Sequence, residues 1–306
     1  MFAIRNLARR IWRPLRHQYS LFRQRRNTQR SLQHVLQKAL DGRLLDELPD
    51  DQRTIWSERI KLVLQDKHNQ LIPRCRDAGR FRRNNLVMHN DMLVSPLCYY
   101  NKPMLQMLVA NKGVHEPEEE FIFSVVLRFL PPTATMIELG AYWAFYSMCF
   151  LKGCPHRTAY MVEPEIENLK SGMKNFGLNG LTGNFVHAGV AARSTNGNPD
   201  MICVDEFVNT HGIHQLDVLH CDIQGYEVEM LEGAVALLSQ QRVSCVFIST
   251  HSNELHLNCK TRLLGFGYIV LRDTDLDHTS SYDGLLFACT PAFAERTSIK
   301  AAISIK

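Results

Sequence analysis

The chain has 306 residues, enough for one full α/β domain with an extension. Apolar residues make up 45% and charged residues 22%, as in ordinary globular proteins, and no apolar run reaches the roughly 18–20 residues needed to span a bilayer. The formal net charge of +4 is unevenly spread: residues 1–40 carry nine Arg and Lys38 with no Asp or Glu, leaving 25 basic against 31 acidic residues elsewhere.

The basic start, residues 1–30, has Phe2, Ile4, Leu7, Ala8, Ile11, Trp12 and Leu15 at near-helical spacing with arginines between them. Those arginines interrupt any secretory h-region. The pattern fits a solvated amphipathic helix or one lying on an anionic membrane surface, and an organelle transit peptide is a third reading. No nucleic-acid reader motif accompanies it, so nucleic acid is not an expected partner. Nine cysteines form no C-x-x-C pair and no zinc-spaced cluster. Cys203, Cys221 and Cys245 sit in apolar runs and read as core thiols, which gives a reducing cytoplasm as the default compartment, with peripheral membrane contact through residues 1–30.

A helical and mixed extension is expected over residues 31–112. Leu32, Val35, Leu36, Ala39 and Leu40 make one helical stripe. Ile55, Trp56, Ile60, Val63 and Leu64 make another, opened by Asp50 or Asp51 as cap and ended by Pro73. A basic loop, 74–83, leads into a segment rich in strand formers, 86–100. A helix is expected from about Glu116 to Leu130, stopped by Pro131-Pro132.

From residue 134 short apolar runs alternate with helical patterns, the sign of a parallel α/β sheet. The runs are 135–139, 159–163, 184–190, 217–223, 243–250, 268–272 and 284–289. The helical stretches are 143–152, 165–177, 226–240 and 254–264. No helical pattern separates the last two runs, so they are expected to pair antiparallel.

Ligands of open α/β sheets sit at the carboxyl ends of strands. The first strand ends at Glu138, and Gly140 follows. A Gly there lets backbone approach a ligand closely. A dinucleotide site would want G-x-G-x-x-G, whereas the turn here is Gly140-Ala141-Tyr142-Trp143-Ala144-Phe145, with one Gly. A ligand without phosphates suits it better. Glu163 closes the next strand and can accept two ribose hydroxyls, a placement that serves NAD and S-adenosylmethionine equally.

Three ordered blocks resemble the FkbM family of S-adenosylmethionine-dependent O-methyltransferases. MIELGAYWAFYS is similar to its D/E-x-G-A-N-x-G-x-x-S turn, VEPEIENLKSGMKNFGLNG to its V-E-P stretch, and DVLHCDIQGYEVEMLEGA to its D-x-E-G-x-E block. The likeness covers about residues 113–290. It implies a Rossmann-like class I methyltransferase sheet of seven strands, the last antiparallel, over residues 113–295. It implies S-adenosylmethionine as cofactor, bound by Glu138, Gly140, Ala141, Tyr142, Glu163 and Asp222. Three positions depart from the pattern: Tyr142 for Asn, Ala144 for the second Gly, and Gln224 for the first Glu of the third block. Ala144 is expected to be mild, because a helix tolerates Ala better than Gly.

His251, closing the fifth strand, is the candidate general base, with Asp222 orienting it or the acceptor. His220, inside the fourth strand, is read as a packed residue. No metal is expected, since Asp222 and Glu227 are two carboxylates only. The resemblance implies a hydroxyl acceptor on a sugar or glycoconjugate. Tyr99, Tyr100, Tyr142 and Trp143 are either a stacking wall for it or core aromatics. Two rivals stay open: a cofactor-fold binding protein with impaired catalysis, and a nicotinamide-dependent oxidoreductase.

Overall fold

A computed structural model describes residues 29–304. The basic amphipathic segment of residues 1–30, with its membrane-surface reading, falls almost wholly outside the described residues. The chain divides into two compact units, residues 1–118 and 119–306. The sequence pattern places this division at 112/113.

In the first unit, helices α1 (Gln29–Leu40), α2 (Asp50–Leu64) and α3 (Lys102–Ala110) accompany a small antiparallel sheet of β1 (Phe81–Arg82), β2 (Asn85–Val87) and β3 (Leu93–Val94). Trp56, Ile60 and Val63 of α2 bury against Met104 and Met107 of α3. Gln106 ties the unit together: its amide donates to Ala39 O (3.0 Å), and its carbonyl accepts from Leu44 N (3.2 Å). Asp50 stands in the first turn of α2, which is preceded by Pro49, so neither aspartate is the cap. Helix α3 was not legible as a helix. Its signals are Asn101, whose side chain accepts from Met104 N, and Pro103 in the first turn. Tyr99 and Tyr100 pack against the Trp56 cluster, which settles them as core-side aromatics of this unit.

Helix α4 (Pro117–Val126) leads into the second unit, which holds β4 (Thr135–Leu139), β5 (Thr158–Glu163), β6 (Asn184–Val190), β7 (Asp200–Ile202), β8 (Leu216–Cys221), β9 (Val243–Thr250), β10 (Ile269–Thr274) and β11 (Gly284–Cys289). Their order is β10-β11-β9-β8-β4-β5-β6-β7. Strands β4, β5, β6, β7, β8 and β9 are parallel, and β11 runs antiparallel between β9 and β10. This is the expected Rossmann-like methyltransferase sheet with its antiparallel insertion, extended by one strand. The extra strand, β7, has three residues beside an Asn-Gly-Asn-Pro loop, too short for a periodicity to show.

Strands β8, β9 and β11 are buried at every residue, as a sheet covered on both faces requires. Helices α5 (Phe145–Leu151) and α6 (Ile166–Leu178) follow β4 and β5, and α7 (Val204–Thr210) follows β7. The expected helix 226–240 is broken by Gly233-Ala234 into α8 (Glu227–Glu232) and α9 (Val235–Ser239). Asp205 caps α9, accepting from Ala236 N and Leu237 N at 2.8 Å each. Helix α10 (Asn253–Gly265) opens on Ser252, whose hydroxyl accepts from Leu255 N. Two short helices, α11 (Pro291–Arg296) and α12 (Ile299–Ile303), end the unit. Ile299 and Ile303 are buried, so the unit runs past the expected limit at residue 295.

Candidate active site

Strand β4 delivers Glu138 and Gly140 to the carboxyl edge of the sheet, beside the end of β8 and its Asp222. Asp222 N donates to Leu139 O at 3.0 Å. Gly140 has φ 75°, and a β-carbon there would overlap the carbonyl oxygen of Asp222. Only Gly meets both demands. The N–H groups of Gly140 and Ala141 both donate to Val162 O, at 2.9 and 3.0 Å, which binds the turn to β5.

Glu163 sits at the end of β5 and is 5% exposed. Its Oε2 accepts from Tyr142 N (3.0 Å), and its Oε1 accepts from Glu165 N (2.9 Å) and Asn168 Nδ2 (3.3 Å). Burial lifts its carboxyl above the usual range, and these donors pull it part of the way back. Oε1 has both lone pairs engaged and Oε2 keeps one for a ribose hydroxyl, so the residues present fit the ribose of S-adenosylmethionine through one such bond.

Glu138 has a different place. It is buried, and its Oε2 accepts from Ser147 N at 3.0 Å inside the first turns of α5. Burial raises its carboxyl pKa, with the buried His220 acting against that. Its structural part is to hold the turn to the helix. Trp143 is 4% exposed and stacked on Phe145, with centroids 5.0 Å apart and planes 16° apart. It is a core aromatic, not an acceptor wall. Its carbonyl accepts from Asn175 Nδ2 at 3.0 Å, which fixes the turn to α6. Tyr142 is half-buried.

All three departures carry backbone strain. Tyr142 has φ 43° and Ala144 φ 59°. Ala144 lies just ahead of α5, not inside it, so helix propensity does not apply. The left-handed conformation there is one that Gly adopts freely, and Ala in it costs about 1–2 kcal/mol. The expectation that Ala144 is mild is therefore corrected. Gln224, with φ 61°, donates its amide to Asp222 Oδ1 at 2.8 Å.

His251 follows β9. Its Nδ1 lies 2.6 Å from Glu227 Oε1, while its Nε2 faces Asp222 Oδ1 at 3.2 Å and Asp283 Oδ1 at 3.4 Å. Burial disfavours its charge, but Asp283, Asp222 and Glu227 outweigh that and hold its pKa well above the ordinary histidine value. Both of its ring nitrogens thus face carboxylates. Asp222 is the most exposed of these three carboxylates. His220 is packed as expected: its Nε2 is 2.7 Å from Glu119 Oε1, and its ring lies 4.2 Å from that of Tyr146.

Two residues escaped the sequence reading. Asp283 precedes β11, and because β11 is antiparallel its start meets the end of β9, with Gly284 opposite Thr250. A search of strand ends alone passes over it; the antiparallel pairing of the last two runs was the available signal. Tyr226, 55% exposed on the loop after Asp222, was read only as part of a block.

The family model described as the methyltransferase FkbM domain matches residues 191–270. That stretch of the chain is similar to an FkbM methyltransferase domain. The matched segment holds Asp222, Glu227 and His251, and it begins beyond Gly140 and Glu163. The FkbM resemblance and the methyltransferase class expected from the sequence agree with it. No curated protein is significantly similar to the chain. Among solved structures, M. capricolum TrmK in complex with S-adenosyl-homocysteine is 15% identical, with 56% of this chain and 68% of that chain covered at a TM-score of 0.38. An O-methyltransferase from Bacillus cereus, also with that product, is 11% identical, with 58% and 82% covered at 0.40. A precorrin-6y C5,15-methyltransferase from Geobacter metallireducens is 13% identical, with 56% and 88% covered at 0.38. No helix among the described residues is long and apolar enough to cross a membrane.

Proposed function

We propose that the FkbM domain of this chain transfers the methyl group to an oxygen, a hydroxyl of a sugar or glycoconjugate. The observation that carries this reading is the abutment of Asp222 on Gly140, which sets a partly exposed carboxylate against the cofactor turn. A hydroxyl is a weak nucleophile at neutral pH and needs its proton removed as it reacts. S-adenosylmethionine, when bound, supplies an electrophilic methyl on a sulfonium. Asp222 takes the proton that the acceptor oxygen loses, while His251 and Gln224 hold the carboxylate in place. Glu163 orients the ribose, and Glu138 keeps the turn on α5. The products are a methyl ether, a neutral thioether and one proton on the carboxylate. Tyr226 presents an exposed aromatic face on the same loop, suited to the apolar face of a sugar ring.

The test is transfer from methyl-labelled S-adenosylmethionine to free sugars, a glycolipid extract, a protein mixture and transfer RNA. The expected product is an O-methyl sugar, recovered after acid hydrolysis because an ether survives it. Label recovered on nitrogen, in RNA, or nowhere overturns the reading.

A further inference from the structure

We propose that Asp222 Oδ1, His251 Nε2 and Asp283 Oδ1 form a binding site for one divalent cation, which receives the acceptor's hydroxyl oxygen. The binding claim stands alone; only the role of the cation rests on the hydroxyl-acceptor reading.

The donor atoms of these three side chains all lie within 4.8 Å of one another. They come from three separate strand ends: β8, β9 and the start of β11. Charge-assisted hydrogen bonds run about 2.7–2.9 Å. The two distances from His251 Nε2, 3.2 and 3.4 Å, are longer than that. A cation bound at about 2.0–2.2 Å sets neighbouring ligand atoms about 2.8–3.6 Å apart in octahedral or tetrahedral geometry. Both observed distances fall in that interval. The other imidazole nitrogen behaves differently: Nδ1 is 2.6 Å from Glu227 Oε1, an ordinary strong hydrogen bond. A carboxylate on one nitrogen fixes the ring and turns the other toward a metal, the arrangement that orients ligating histidines.

Glu227 gives a second, separate indication. It is fully buried, one oxygen serves His251 Nδ1 and Gly225 N, and its Oε2 meets no hydrogen-bond partner among the described residues. Three carboxylates thus surround one imidazole. Buried negative charge in excess is expensive unless paired or metal-bound. A divalent cation at Nε2 offsets it. The donor set, one imidazole and carboxylates, suits cations of the manganese–zinc range. With an open coordination position on the partly exposed Asp222 side, the cation binds a hydroxyl oxygen and lowers its pKa. Gln224 fits as well: as an amide it fastens Asp222 without adding a fourth negative charge to the cluster.

The experiment titrates the chelator-treated, otherwise intact protein with MnCl2, reading the free-ion paramagnetic resonance signal and the thermal midpoint, with no acceptor present. One bound Mn2+ per chain and a raised midpoint are expected. Asp283→Asn and His251→Gln should each weaken Mn2+ binding at least about tenfold, while S-adenosyl-homocysteine affinity by calorimetry changes less than about threefold. Circular dichroism melts show which variants are folded, and either folded variant decides the outcome. No Mn2+ bound at millimolar concentration, or binding unchanged in a folded variant, overturns the proposal. A chain that binds Mn2+ but methylates no hydroxyl keeps the cation site and sinks the acceptor reading instead.

Discussion

The carbonyl oxygen of Asp222 occupies the space that a β-carbon on Gly140 would need. The two residues directly follow neighbouring parallel strands, and their contact is what sets the cofactor turn against the acidic rim. Gly140→Ala demands both a positive φ from Ala and a displacement of β8. It should cost about 3–5 kcal/mol of stability, and a urea melt reads this directly.

Glu163 should govern cofactor affinity. Its Oε1 and Oε2 are held by three donors, with capacity left on Oε2 for one hydroxyl. Glu163→Ala should weaken S-adenosyl-homocysteine binding about 10–100-fold, the range for hydrogen bonds to a charged group. The pH dependence has a definite sign. Burial raises this carboxyl above its ordinary 4.5, so it takes up a proton before an exposed Glu does. Ribose hydroxyls donate to the charged form. Affinity is therefore full at neutral pH and falls on acidification, in a window that opens above pH 4.5. Calorimetry across pH should show this fall, and Glu163→Gln should flatten it.

Asp222→Asn keeps the shape of the rim and removes the proton acceptor. The turnover rate should drop at least about 100-fold, the size of a lost general base. Binding of S-adenosyl-homocysteine should stay within a few-fold, because the contact with Gly140 is made by the Asp222 backbone. Rate and binding measured on one preparation check both halves.

Trp143→Ala removes a buried ring stacked on Phe145. The loss should appear as about 3–5 kcal/mol of stability, as for other large-to-small changes in a core. The KM for acceptor should hold. A variant of wild-type stability with a weakened acceptor KM would place the ring in the pocket after all.

Much of this was legible before the structure. Strand periodicity and the lone Gly of the turn located β4, and Glu138, Glu163 and Asp222 fall at strand ends as expected. What the sequence concealed were matters of direction and dihedral. Ala144 looks harmless as a letter, and becomes costly only once φ 59° is known. Trp143 is adjacent to the site along the chain but turns inward. His251 reads as a lone strand-end histidine, and the three carboxylates around it, all distant in sequence, show only in the fold. Asp283 was hidden because it begins its strand instead of ending it.

That last placement governs how the rim is completed as the chain is made. Every other residue of the cluster is in place once β9 has emerged, yet Asp283 arrives 32 positions after His251 and reaches it only when β11 inserts between β9 and β10. A nascent chain that has formed the cofactor turn and its ribose acid still has an open rim. The last hairpin is the clasp: the residues of the nucleoside pocket are synthesised early, and the acidic cluster lacks its last member until Asp283 has been made.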